Sequence, residues 1–301
     1  MVKNEVNKVL FIVNKFSGTG YRPEVEGKII EICEANDFEC TIEFTQGRGH
    51  ATELAKQAAE EKTFSRVVAV GGDGTVNEVA QGLLHSPVAM GIIPKGSGNG
   101  LARHLQIPMS VAGAVNSLFA SRVIAMDTFQ LNGKLSLNVS GIGFDGHIAN
   151  LFGAEKKRGL QGYAKHALNE FFKFREFEAD IITEAINWKR KAFIIAIANS
   201  SQYGNNARIA PAASVRDGLL HISILKKVPP YRLDFVYAFF SGKVDRSVYC
   251  ETVETNRLTI RVPTPIAFHI DGEPCGKAET FTIELVPASL HILIPKNAKQ
   301  P

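Results

Sequence analysis

The chain has 301 residues, 45% of them hydrophobic and 21% charged, with a formal net charge of +4. That length allows two domains with separate cores, and the composition is that of a folded chain rather than a disordered one. A mild positive balance without a long basic tract excludes nucleic acid as the expected partner, four scattered cysteines without a CxxC pair exclude a disulfide framework or zinc site, and no apolar run reaches the roughly 18 residues of a membrane span.

Met1 is followed by a segment too short and too charged for a signal peptide, so the expectation is a cytoplasmic protein. Cys33, Cys40, Cys250 and Cys275 are expected to be reduced, small core residues. Residues 9–13 read as a strand, 24–35 as a helix, 40–44 as a strand and 51–61 as a helix, the order of a doubly wound parallel α/β domain. The stretch 66–84, RVVAVGGDGTVNEVAQGLL, then combines three signals. Val67 to Val70 form a continuously apolar strand. Gly71, Gly72 and Gly74 make a turn. Val76, Val79, Ala80, Leu83 and Leu84 then fall on one stripe of a helix.

A glycine turn between a strand's end and a helix N-terminus collects unpaired N–H groups and the positive helix dipole, which suits a phosphate. Asp73 would repel a bare phosphate there and makes sense if a metal ion or a reacting hydroxyl sits between them. A second unit follows, with a strand at 88–93, the loop PKGSGNG at 94–100 and a helix opening at 101–105. Loops from neighbouring strands would face each other across one crevice. Either alone reads as an ordinary tight turn, but Asp73, Asn77, Glu78, Ser97 and Asn99 are too polar a set for chain reversal alone. No GxxxxGK[ST] sequence is present, so any nucleotide is not held by a Walker loop.

The pattern changes at Asp127. Asn132-Gly133 is a hairpin signal between 128–131 and 134–140. A helix is expected over 163–174, with Tyr163, Ala167, Leu168, Phe171 and Phe172 on one face. Short strands at 177–183, 192–198, 219–225, 257–262, 267–270 and 280–285 then predict an antiparallel, sandwich-like second domain over 128–287. Residues 288–301 form a C-terminal segment. Two basic clusters, Lys156, Lys157 and Arg158, then Lys189, Arg190 and Lys191 beside Trp188, read either as solvated loops or as a surface for anionic lipid headgroups.

Asp271 and Glu273 are spaced by two around Gly272. In an extended segment both side chains point one way, so one could accept a proton while the other orients it; the alternative is a routine acidic hairpin turn. GIGFDG at 141–146 satisfies a dinucleotide fingerprint but fails on context, because it follows a hairpin strand. Asp217-Gly218 reads as a plain turn. His50, His104, His147 and His269 lie near motifs without HExxH or triad partners, so polar or phosphate contacts are expected rather than metal ligation.

GGDGTVNEV at 71–79 and PKGSGNGLAR at 94–103, with VNKFSGTG at 13–20, GIGFDGHIA at 141–149 and HIDGEPCG at 269–276, resemble the diacylglycerol kinase and sphingosine kinase superfamily, in particular its soluble bacterial lipid kinases. The resemblance runs along nearly the whole chain. It implies ATP and Mg2+, with nucleotide contacts from Asn14, Lys15, Phe16, Ser17, Gly18, Thr45, Gly72, Asp73, Gly74, Thr75, Val76, Asn77, Glu78 and Ser97. Lys15 and Phe16 depart from the family's Asn-Pro pattern. The proton acceptor in the bacterial enzymes falls on Glu273, with Asp271 beside it; in sphingosine kinases the base falls on Asp73, and both are kept, with Glu273 preferred. Asp145 is implied in recognising the lipid's hydroxyl-bearing head, and Ser214, Asp217 and Leu219 in a structural magnesium site.

The expected activity is phosphorylation of a membrane lipid hydroxyl, diacylglycerol foremost, by a protein peripherally bound to an anionic membrane surface. Ser97 and Asn99, where diacylglycerol kinases often carry Thr and Asp, favour a sphingoid-base or ceramide kinase as the rival. NAD kinase is more remote, since it lacks the PKGSGN loop and the DGE turn. A lipid-sensing module without turnover is disfavoured because every candidate carboxylate is present. A homodimer is left open.

Overall fold

The computed structural model describes residues 7–18, 23–153, 169–184 and 186–299. Contacts divide the chain into unit 1, residues 1–127 with 287–301, and unit 2, residues 128–286.

Unit 1 alternates strand and helix: β1 (Lys8–Val13), α1 (Glu24–Glu34), β2 (Glu39–Phe44), α2 (His50–Glu61), β3 (Arg66–Gly71), α3 (Asp73–Leu83), β4 (Ala89–Pro94), α4 (Gly100–His104) and α5 (Val111–Phe119). The strands are parallel in the order β2, β1, β3, β4, joined at the β4 edge by the C-terminal part of β14 (Glu273–Pro295) through Ile292 and Met90. Val67 to Val70 and Val9 to Val13 are wholly buried, as expected of strands covered on both faces. Each fully buried aliphatic side chain contributes about 1.5–3 kcal/mol. The C-terminal segment is tied down by Ala288 N–H to Asp127 Oδ1 at 2.7 Å, His85 N–H to Ser289 O at 2.8 Å and Lys296 N–H to Ala120 O at 3.0 Å.

The strand order reverses between β1 and β3, and in such sheets a ligand crevice opens at the strands' carboxyl ends where that happens. The loops after β1 and β3 are Asn14 to Gly18 and Gly71 to Gly74. Helix α3 begins at Asp73, three residues before the apolar stripe that announced it, because a stripe records only core-facing positions. The helix α5 was not anticipated.

Unit 2 is antiparallel: part of β5 (Ser121–Leu131), β6 (Lys134–Ser136), β7 (Val139–Gly143), β8 (Phe177–Ile182), β9 (Asn187–Ala192), β10 (Ile194–Ala198), β11 (Leu220–Leu225), β12 (Cys250–Thr255), β13 (Arg257–Ile270) and the first part of β14. Helices α6 (Phe144–Gly153) and α7 (Leu233–Ser241) lie between strands. Strands run in the order β12, β11, β10, β7, β13, β14. β13 pairs with β8 over residues 259–261 and with β7 over 268–269, either side of an irregularity between Arg261 and Ile266. Two expected strands are therefore one bent strand that serves both halves of the sandwich. Ile195, Ile197, Phe268 and Ile270 enter the larger core, while Ala196, Ala198 and Val139 alternate onto a smaller cluster on the opposite face.

Of the helix expected at 163–174, residues 163–168 lie outside the described residues and 169–173 are helical. The basic cluster at 189–191 lies in strand β9 rather than a loop, and Arg190 is taken up by Glu251 through two bonds of 2.8 and 2.9 Å; Lys156 to Arg158 lie outside the described residues. Cys33 alone of the four cysteines is buried, and burial with Cys40 nearby pushes its thiol up to about 12. No described helix is long and apolar enough to cross a membrane.

Candidate functional site

In unit 1 the loops after β1, β3 and β4 interlock through their main chains. A Cβ on Gly96 would lie 2.6 Å from the Gly72 Cα, so the two glycine turns touch backbone to backbone in a way only glycine permits. Lys95 N–H donates to Gly71 O at 2.7 Å. Asn14 Nδ2 donates to Thr75 Oγ1 at 3.0 Å, and Asn14 Oδ1 accepts from Phe16 N–H at 2.9 Å, an Asx turn that shapes the loop despite its departure from Asn-Pro. Ser17 Oγ closes the same turn on Asn14 O. Lys15 lies 3.7 Å over the Phe44 ring, Phe16 is exposed, and Thr45 N–H donates to Val13 O beside the end of β1.

Asp73 is placed differently from the sequence expectation. Its Oδ2 accepts from Asn99 N–H at 2.9 Å and its Oδ1 from Gly100 N–H at 3.0 Å, where α4 begins. The carboxylate is a clamp between the glycine loops, charge-assisted on both oxygens. Asn99, at φ +50°, closes its own loop by accepting from Gly96 N–H and donating to Gly96 O. Ser97 is exposed on that loop.

Further along α3 the residues are engaged in packing. Val76 is buried and its N–H closes the first helical turn on Gly72 O. Asn77 Oδ1 accepts from Gln81, and Glu78 accepts from Gly49 and Ala51 N–H at 3.0 and 3.3 Å, capping α2. In the first turn of α3 the amides have no acceptor within the helix itself, by position alone. His104, in α4, is half-buried with its ring inward, and desolvation lowers its pKa from 6.5 to about 4.

In unit 2 the arrangement is made of side chains. Asp145, in the first turn of α6, accepts from Tyr203 Oη at 2.8 Å and from Gly146 N–H at 2.7 Å, and its Oδ2 lies 3.3 Å from His269 Nε2. A Cβ on Gly141 would fall 1.8 Å from that carboxylate, so the glycine makes its seat. His269 Nδ1 accepts from Gly272 N–H at 3.1 Å, which places the proton of a neutral ring on Nε2, facing Asp145. Burial and the adjacent carboxylate raise the Tyr203 phenol well above its ordinary range, so it stays a donor. Asn150 ties the same region together, donating to Gly146 O and Phe268 O and accepting from Gly276 N–H.

The Asp271-Gly272 turn is left-handed at both residues, with φ +48° and +87°. The extended geometry that would set Asp271 and Glu273 side by side is therefore absent. Asp271 accepts from Ser136 Oγ, Leu137 N–H and Asn138 N–H at 2.7 to 3.0 Å, which clamps the turn to the β6–β7 connection. Glu273 stands exposed at the start of β14.

Asp217 is exposed in a turn with Gly218 at φ +73°, and its Oδ1 accepts from Leu219 N–H at 3.0 Å. One exposed carboxylate with the carbonyls of Ser214 and Leu219 is an all-oxygen donor set that suits a magnesium retaining several waters. Among the described residues no group of three or more His, Cys, Asp and Glu could hold a metal. His50 Nδ1 accepts from Gln46 N–H and His147 bonds Glu170, the polar contacts expected of them. Sequence reasoning missed Tyr203 and Asn150. Tyr203 lies in an irregular segment without periodicity, whereas Asn150 ends the GIGFDGHIAN run and could have been noticed there.

Residues 8–131 match the diacylglycerol kinase catalytic domain, and residues 138–294 match the YegS C-terminal NAD kinase beta sandwich-like domain. A protein of Pectobacterium atrosepticum named "Probable lipid kinase YegS-like" is 30% identical over 98% of both chains, and one of the same name from Yersinia pestis (strain Pestoides F) is 31% identical over 85% of this chain and 87% of its own. Two solved structures from Bacillus anthracis str. Sterne, one of them described as a diacylglycerol kinase, cover 97% of this chain and 98% of their own with TM-scores of 0.75 and 0.78 at 22% and 24% identity, which speaks to the fold. With its glycine loops, its α/β and antiparallel β units and these relatives in agreement, the chain belongs to the YegS-like lipid kinase family that carries the diacylglycerol kinase catalytic domain.

Proposed function

We propose that the chain transfers the γ-phosphate of ATP to the hydroxyl of diacylglycerol. The observation that carries this reading is the frame around Asp145, in which a partly buried carboxylate is joined through His269 to the turn that bears the exposed Glu273. Asp145 would accept the hydroxyl-bearing head, and Glu273 would take the hydroxyl's proton as the oxygen attacks phosphorus. Unit 1 would supply the donor half, with the amides of Gly72 to Thr75 directed at the triphosphate. Asp73 acts here by holding the two glycine loops in register, which favours Glu273 over Asp73 as the base. Magnesium carried in with the nucleotide would neutralise phosphate charge, whereas one held by Asp217 with the carbonyls of Ser214 and Leu219 would be structural.

Ser97 and Asn99 favour a sphingoid or ceramide acceptor; the Asn99 side chain is accounted for by closing its own loop, which leaves the exposed Ser97 as the ground for that reading. The test is thin-layer separation of products after radiolabelled ATP is given with mixed micelles of diacylglycerol, sphingosine or ceramide. Label is expected in phosphatidic acid. Label in a sphingoid phosphate instead would reverse the choice of acceptor.

A further inference from the structure

Helix α7 carries apolar side chains all round. Its sequence, LDFVYAFFS, has two polar residues, and the single carboxylate, Asp234, is bound to Arg232 at 2.6 and 2.8 Å. Phe235 and Phe239 pack against the smaller cluster of unit 2. Leu233, Val236, Tyr237 and Phe240, at spacings of three and four, form the opposite face, and each is at least half exposed. Tyr231 before the helix and Val248 after it are 78% and 80% exposed. A surface helix ordinarily turns polar residues outward, so six large apolar side chains left in the open mark a face that something covers.

We infer that this face of α7 is the surface through which the protein sits on an anionic lipid bilayer, with Leu233, Val236, Tyr237 and Phe240 entering the headgroup–acyl boundary. The inference rests on the lipid-kinase reading only for its purpose, reaching a bilayer substrate. Its physical grounds are separate. Residues 226–248 hold five basic side chains against two acidic ones, and Lys226, Lys243 and Arg246 are exposed. An apolar, aromatic helix face rimmed by Lys and Arg is the composition of an interfacial helix on anionic lipid.

A second copy is the competing occupant, and charge argues against it. A two-fold interface would set this basic rim against itself, and six side chains fall short of the twenty or so per partner in a stable dimer. The segment leading into α7, Lys227 to Pro230, also lines a cavity of about 400 Å3 with Phe171, Phe172 and Arg175. Tyr203, the donor to Asp145, packs on the same cluster as Phe235 and Phe239, so α7 and the carboxylate frame lie on one face of the sheet. Docking there would bring lipid to the side of unit 2 that carries Asp145.

Co-sedimentation of the full chain with vesicles of one part phosphatidylglycerol to two parts phosphatidylcholine tests this. Binding is expected to fall about ten-fold on pure phosphatidylcholine or at high salt. Tyr237→Glu/Phe240→Glu should bind anionic vesicles at least about ten-fold more weakly, with unchanged melting and unchanged transfer to a monomeric short-chain diacylglycerol. Lys243→Glu/Arg246→Glu, with the apolar face intact, should lose the anionic preference. Undiminished vesicle binding by the Glu variant overturns the inference, as does a wild-type dimer in sedimentation velocity that the variant dissolves. Failure of the kinase reading looks different: vesicle binding persists while no micellar lipid is phosphorylated.

Discussion

Unit 1 builds its candidate site from main chain and unit 2 from side chains. In the first, Gly72 meets Gly96, a carboxylate gathers two amides, and the glycine loops are held together through their main chains. In the second, Asp145, Tyr203 and His269 form a hydrogen-bonded frame, with the turn of Glu273 attached to it. A main-chain cradle survives most substitutions, because its donors cannot be mutated away, and fails when its shape is lost. A side-chain frame keeps its shape and loses single chemical functions. The two units therefore predict different failures.

The largest effect is expected at Glu273. Glu273→Gln should lower kcat on the order of a thousand-fold, the usual worth of a general base, while Mg-ATP affinity by isothermal titration stays within two-fold or so. Asp271→Asn, its neighbour, should instead lower the melting temperature, since a carboxylate holding three donors is replaced by a group that repels some of them. If the two variants show the opposite pattern, the turn's acids have exchanged roles.

Acid should weaken unit 1 through His104. Its folded pKa, about 4, lies below the ordinary 6.5, so between these values the unfolded chain binds a proton that the folded chain does not. Stability is complete above pH 6.5 and is lost as pH falls toward 4, by about 3 kcal/mol. Urea melts of the wild type and His104→Gln across that range check the sign: the variant should show a flatter acid slope. An equal slope in both proteins would remove His104 from the account.

Asp73→Asn joins stability to function. Were Asp73 only a ligand-facing acid, as its loop suggested, melting would be unchanged; as a clamp, it should cost about 2 kcal/mol when one of its two amide bonds becomes a clash. Nucleotide affinity should fall with it, about ten-fold, because the amides of Gly72 to Thr75 lose their register. Calorimetry and titration on the same sample separate the cases. Lost turnover with unaltered melting would return Asp73 to the role of base.

The alternation of strands and helices in unit 1 was legible because buried parallel strands are continuous apolar runs and glycine turns punctuate them. The site's loops were legible for the same reason. What the acids do was not, since Asp73, Glu78 and Asp271 look available in sequence and are each committed to backbone N–H groups far along the chain. Strand β13 was cut in two because its irregularity at 262–265 reads as a turn. Helix α7 escaped because a helix without a polar face has no stripe to detect. Tyr203 left no local signal at all, since its importance comes from a partner 58 positions away.

Tyr203 supplies the smallest effect and the finest test of the comparison. Tyr203→Phe removes one hydroxyl and leaves the ring, so packing against the smaller cluster of unit 2 is kept. Asp145 loses one donor but retains Gly146 N–H and His269, and a single bond to a charged group is worth about 1.5–3 kcal/mol at most. A carboxylate held less firmly should bind the acceptor's hydroxyl less well in ground and transition states alike. KM for the lipid should then rise several-fold with kcat nearly unchanged and the KM for ATP untouched. A side-chain frame confined to unit 2 predicts that split. A variant whose ATP KM rises with the lipid KM would show that the frame and the glycine cradle are not independent, and the distinction between the units would fail at its most sensitive point.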